Sequence, residues 1–154
     1  MDCFALAREV SGATQAVAAA RGIRLDESYV GMGAVVGDGL LLKQAIDNLL
    51  RNALDFSPAG GTISLRGVEE PGGVSLTISD EGPGIPDYAR ERIFERFYSL
   101  PRPGSGRKST GLGLNFVREV AQLHGGSITI TCPERGTQAR LFVLRRPPGG
   151  PSPP

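Results

Sequence analysis

The 154-residue sequence has no tryptophan, two cysteines and a single histidine. Cys3 and Cys132 lie far apart with no CxxC spacing, so the chain offers neither a disulfide framework nor a sequence-local zinc site. A reducing, cytoplasmic setting is the economical reading. No apolar run approaches the ~20 residues needed to cross a bilayer. The amino terminus, Met-Asp-Cys-Phe, lacks the basic start of a signal peptide. There is no surplus of either charge: Lys+Arg 17 against Asp+Glu 16 leaves +1. That balance argues against a dedicated partner among nucleic acids or anionic membranes. No internal repeat is visible. What is present is ordinary for a globular domain, 40% apolar and 21% charged, and long enough to bury a core unaided.

The 22 glycines and 12 prolines are informative by position. Residues 3–21 are Ala-rich and predict a helix closed by Gly22. Segments 23–29 and 31–37 read as short strands joined at Gly31. Asp38 offers an N-cap to a long helix ending near Phe56, on which Leu42, Ile46, Leu49, Ala53 and Phe56 form one apolar stripe. Ser57-Pro58-Ala59-Gly60-Gly61 stops it. A hairpin follows, with strands 62–68 and 74–80 about a turn at Glu70-Pro71-Gly72-Gly73. Residues 81–111 are dense in Gly and Pro around the short aromatic stretch Ile93–Tyr98, a long connection of the kind that carries function or disorder. A second amphipathic helix over 112–124 and strands 127–132 and 138–144 complete the pattern. Three helices and about six strands predict an α+β fold, a two-layer sandwich with a mixed sheet packed on three helices. Residues 1–145 read as one domain and 146–154 as a disordered Pro/Gly tail.

Three constellations carry chemistry. On helix 38–56, Asn48, Asn52 and Asp55 fall within about 60° of arc, opposite the apolar stripe. Asparagine is a mediocre helix former; two in mid-helix are either simply solvated or offer amide oxygens to a hard divalent cation. Second, strand 74–80 places Asp80 in the row of Val74, Leu76 and Ile78, so an apolar face ends in a carboxylate that needs a donor. It opens either a tight turn or a pocket for an exocyclic amine, with Gly82 and Gly84 allowing a flat ring to approach the backbone. Third, Gly104-Ser105-Gly106-Arg107-Lys108-Ser109-Thr110-Gly111-Leu112-Gly113-Leu114 leads into a helix. Such a run is either a linker or a phosphate site, with N–H groups at the helix start and cations from Arg102, Arg107 and Lys108. It matches neither the Walker loop nor a Rossmann fingerprint.

Taken in order, these elements resemble the catalytic ATP-binding domain of bacterial sensor histidine kinases, the Bergerat fold, over roughly residues 5–145. Residues 38–56 are similar to its N box, 80–84 to the G1 box, 93–98 to the F box and 109–114 to the G2 box. The strings NLLRNALDFSP, ERFYSLPRP and GLGLNFVREVAQLHGG resemble in particular the CreC-type, carbon-source-responsive sensor kinases.

The resemblance implies ATP and Mg²⁺ as cofactors. Asn52 matches the magnesium ligand and Asn48 its companion, the pair counted as catalytic. Asp80 matches the acceptor of the adenine amino group, with Gly82 and Gly84 shaping that pocket, and Ile85, Phe56 and Asp55 count among the nucleotide-binding residues. Phe94, Phe97 and Tyr98 anchor a lid reaching to Thr110. Arg102, Arg107, Lys108, Thr110, Gly111, Leu112, Gly113 and Leu114 line the phosphate side.

Three positions depart from the pattern: Asp55 where relatives often carry a cation, Phe56 for tyrosine, and Ser109 for the first G2 glycine. An uncompensated carboxylate at 55 repels a triphosphate. Asn48 stands where ATP-hydrolysing relatives place a glutamate, and an amide is no base at neutral pH. His124 reads as a structural helix-end residue. The expected activity is therefore transfer of the γ-phosphoryl group to a histidine on a separate dimerisation/phosphoacceptor domain, and onward to a response regulator. The chain would be a monomeric part of a sensor anchored in the inner membrane. A degenerate nucleotide-binding module without transfer is the alternative, and a serine kinase of the same fold a third.

Overall fold

The computed structural model describes residues 1–95, 113–133 and 135–146. Aspartates open two of its helices by the same device. The Asp2 carboxylate accepts the N–H groups of Phe4 and Ala5 at 2.9 and 3.3 Å, starting α1 (Cys3–Ala20). Asp38 does so for Leu40 and Leu41 at 3.0 and 3.1 Å, starting α2 (Gly39–Phe56). Gly22 turns the chain out of α1 with φ 70°, a conformation that glycine adopts without strain. The remaining elements are β1 (Arg24–Val30), β2 (Thr62–Glu70), β3 (Gly73–Asp80), a single 3₁₀ turn at Asp87–Ala89, α3 (Gly113–Leu123), β4 (Ser127–Thr131) and β5 (Thr137–Leu144).

The strands form one sheet in the order β1-β2-β3-β5-β4, with β1 and β2 parallel and every other pair antiparallel. One face carries Leu25, Ile63, Leu65, Val74, Leu76, Ile78, Leu141 and Val143, all buried. Against it lie α1 over β1, α2 over β3, and α3 over β4 and β5. Lys43–Glu9 and Arg21–Asp55 both join residues 34 positions apart, so α1 and α2 run parallel in constant register. The α+β sandwich of three helices on a mixed sheet is the fold expected. No described helix is long and apolar enough to cross a membrane.

One expected strand is absent. Residues 31–37 form an extended connection with a single isolated bridge, Ala34 to Asp2. Its backbone pairs with the start of the chain: Cys3 N–H donates to Gly33 O at 2.8 Å and Val35 N–H to Met1 O at 2.9 Å. Gly31, Gly33 and Gly37 explain why. At each, a Cβ would lie within 2.6 Å of a neighbouring side chain, of Glu69, Phe4 and His124 respectively. The segment is a packing strap, with Val35 buried and Val36 59% exposed, and the described sheet has five strands.

Candidate functional site

β3 is the central strand, and its last residue, Asp80, continues the buried row of Val74, Leu76 and Ile78 into the loop beyond the sheet. The Asp80 carboxylate accepts the N–H of Gly82 at 2.9 Å. Burial raises its pKa above the ordinary 3.8, while the N–H groups of Gly82 and Thr137 work in the opposite direction. The carboxylate therefore meets part of its need for donors from the backbone, and its half-buried remainder faces the loop.

Gly82 ties this loop to the end of α2. A Cβ there would lie 2.3 Å from the Phe56 carbonyl oxygen and 3.1 Å from an Asp80 carboxylate oxygen, so only glycine permits the contact. Glu81 accepts the Thr62 N–H at 2.6 Å and fixes the same loop to the start of β2. Local geometry thus brings the Asp80 carboxylate, Gly82 and the Phe56 carbonyl together. Gly84 adopts φ 80°, and Ile85 is partly buried beside it.

Asn48, Asn52 and Asp55 are partly exposed on one side of α2, away from the buried Leu42, Ile46, Leu49 and Ala53. Asp55 pairs with Arg21 at 3.2 Å, a cation supplied by the end of α1. Nothing local in the sequence signals that pair, because it depends on the register of two helices. Among the described residues no three His, Cys, Asp or Glu side chains cluster to cage a metal. A helix-borne amide oxygen such as that of Asn52 fits a different ion, one that takes few protein ligands and keeps water and phosphate for the rest, as Mg²⁺ does.

At the start of α3, Gly113 opens the helix and Leu114 packs on the core. Asn115, missed in the sequence, donates from its side-chain amide to Phe94 O at 3.1 Å, and the Arg118 guanidinium lies 5.6 Å from the Phe94 ring centre. Phe94 is thereby held on α3. An asparagine buried in the first turn of an otherwise apolar face was the available signal. The remaining expected residues, Phe97, Tyr98, Arg102, Arg107, Lys108, Ser109, Thr110, Gly111 and Leu112, lie outside the described residues, as does most of the tail.

A second omission is the turn joining β4 to β5. Gly136, at φ 86°, packs on the Asp80 backbone so tightly that a Cβ would fall 1.8 Å from the Asp80 carbonyl oxygen. Thr137 pairs directly with Asp80 across the sheet. His124, by contrast, is structural: it is 3% exposed, with Nδ1 2.7 Å from Val120 O and Nε2 accepting the Asp38 N–H at 3.0 Å.

A mixed five-stranded sheet lies under three helices, with the loop after Asp80 fastened to the end of α2. Residues 37–148 match the family described as histidine kinase-, DNA gyrase B-, and HSP90-like ATPase, and the chain belongs to that family. It is 46% identical over 146 residues to the sensor protein CreC of Escherichia coli (strain K12), covering 95% of this chain and 30% of that protein. It is 39% identical over 140 residues to the signal transduction histidine-protein kinase/phosphatase MprB of Mycobacterium sp. (strain KMS), covering 83% of this chain and 26% of that protein. The chain thus spans less than a third of either curated relative. Among solved structures, the mycobacterial sensor histidine kinase MprB superposes with a TM-score of 0.80 at 32% identity, covering 96% of this chain and 97% of that one. The nucleotide-free catalytic domain of histidine kinase ThkA does so at 0.84 and 25%, with 96% and 97% covered. An ATPase domain of this type implies ATP binding.

Proposed function

We propose that this domain binds Mg-ATP and donates the γ-phosphoryl group to a histidine on a separate dimerisation/phosphoacceptor domain, from which a response regulator is served. One observation supports the reading: Gly82, whose N–H the Asp80 carboxylate accepts, packs against the Phe56 carbonyl and so ties the loop after β3 to the end of the asparagine-bearing α2. Asp80 accepts from the adenine amino group. Phe56, Gly82, Gly84 and Ile85 wall the base. Asn52, with Asn48 beside it, holds the Mg²⁺ that screens the phosphates and lowers the charge cost of transfer. Phe94, braced by Asn115 and Arg118, roots a lid whose Arg102, Arg107, Lys108 and Thr110 meet the phosphates, together with Gly111, Leu112, Gly113 and Leu114.

The absence of a carboxylate at position 48 supports transfer over hydrolysis, because an amide cannot deprotonate water at neutral pH. The acceptor lies in another part of the protein. His124 is the sole histidine, and both its ring nitrogens are engaged in the interior. Similarity to the sensor protein CreC supports a larger sensor anchored in a membrane; this portion by itself is proposed to be monomeric. Mixing the chain with the phosphoacceptor domain of its own protein and Mg-ATP labelled at the γ position tests this. The expected result is label on that domain's histidine, lost with Asn52→Ala. Nucleotide binding without transfer at high concentrations of both domains would favour the degenerate module.

A further inference from the structure

The loop after β3 and the turn after β4 meet at Ile85 and Cys132. Ile85 donates its N–H to the Cys132 sulfur at 3.3 Å, and the same sulfur lies 4.0 Å from Ile85 O. At Gly84, φ 80°, a Cβ would sit 3.3 Å from Gly136 O and 3.7 Å from the Cys132 sulfur. Around this contact the two segments are separated by a solvent-open cavity of about 400 Å³, bordered by Ile85, Arg90, Cys132 and Arg135. The loop is therefore held at two places. Its start is fixed by β3 pairing and by Gly136 packed on Asp80. Further along, Ile85 is held across to the turn by the Cys132 thiol, which accepts its N–H and lies within reach of its carbonyl, while Arg90 Nε donates to the same carbonyl at 3.5 Å from its own side of the loop.

We infer that Cys132 is a positioning residue for base recognition: by anchoring Ile85 it sets the distance between the Ile85 wall and the Asp80 carboxylate, and so the fit of an adenine. The inference rests on the reading of Asp80 as the adenine acceptor. Cys132 touches no reacting atom and acts through the Ile85 backbone. Sulfur is a weak acceptor but a large one, and its size lets it reach the loop across the edge of the cavity. A serine hydroxyl is smaller but a stronger acceptor, and keeps an acceptor on this side chain; an alanine does not. Without it, the Ile85 N–H loses its partner and the loop gains freedom next to the cavity.

The test is calorimetric titration of the chain with ADP and with GDP for the wild type, Cys132→Ser, Cys132→Ala and Asp80→Asn, alongside the melting temperature of each without nucleotide. Cys132→Ala should weaken ADP roughly fivefold, the weight of one neutral hydrogen bond, and narrow the preference for ADP over GDP. Cys132→Ser should restore most of that preference. An unchanged ADP affinity and preference in Cys132→Ala overturns the inference. So does a loss that is equal in both cysteine variants, follows the fall in melting temperature and leaves the preference intact. In those cases Asp80→Asn still abolishes the preference, and the adenine reading stands. A wild type that binds neither nucleotide, or an Asp80→Asn variant that keeps the preference, overturns the reading and the inference together.

Discussion

The Nε2 of His124, at the end of α3, accepts the backbone N–H of Asp38, the N-cap of α2, at 3.0 Å. Nδ1, 2.7 Å from Val120 O, is then the protonated nitrogen of a neutral ring. Gly37 makes room for that ring, since a Cβ there would fall 2.4 Å from it. The end of α3 is thus pinned to the start of α2.

Replacing His124 with alanine orphans the Asp38 N–H and opens a cavity, at a cost of about 2–3 kcal/mol. Thermal unfolding should show a fall of several degrees. His124→Gln, which keeps an acceptor, should fall by less. Equal melting of both variants with the wild type would show that the bond contributes nothing.

Asp80 ties stability to pH in the direction opposite to a salt-bridged carboxylate. Burial raises its folded-state pKa above 3.8, so the folded protein holds this proton more tightly than the unfolded chain. The group's contribution is fully present below the unfolded value and is lost as pH rises through the folded one. At neutral pH the ionised side chain is a cost that the site carries for function. Asp80→Asn should therefore raise the melting temperature of the nucleotide-free domain at pH 7, with a gain that shrinks toward pH ~4. Adenine affinity of the wild type should fall on acidification through the same interval. A variant melting below the wild type at pH 7 would refute this account of Asp80.

Much of this geometry is legible in the amino-acid sequence, and the reason is local. The cap at Asp38, the apolar stripe of α2 and the alternation that turns Asp80 inward are each written within a few residues of the chain. The features that the sequence hides or misstates depend on distant neighbours. Residues 31–37 have a strand-like composition, yet glycines that accommodate Phe4, Glu69 and His124 make them a strap. Arg21 meets Asp55 only because α1 and α2 run parallel 34 positions apart. Cys132 and Gly136 reach the Asp80 loop through the pairing of β3 with β5. The carboxylate at position 55, a departure from the resembling family, has its cation on another helix.

That pair is partly exposed, so its direct worth to stability is small. Arg21→Ala should change unfolding by less than about 1 kcal/mol. Its effect on a polyanionic ligand should be larger. Arg21→Glu leaves two carboxylates where the wild type has a neutral pair, and should weaken ATP-analogue binding several-fold at low salt. The deficit should close near 1 M salt, where the Debye length is about 3 Å. A deficit indifferent to salt would assign Arg21 a packing role instead.

The most direct test of the central claim is calorimetric titration of the chain with ADP and a non-hydrolysable ATP analogue, with and without Mg²⁺, for the wild type, Asn52→Ala and Asp80→Asn. The account predicts binding by the wild type that Mg²⁺ strengthens. Asn52→Ala should lose the Mg²⁺ dependence while retaining weak binding, and Asp80→Asn should lose adenine nucleotides altogether. Wild-type binding that ignores Mg²⁺ and survives both substitutions would contradict it, because neither the α2 amide nor the β3 carboxylate would then be part of the site.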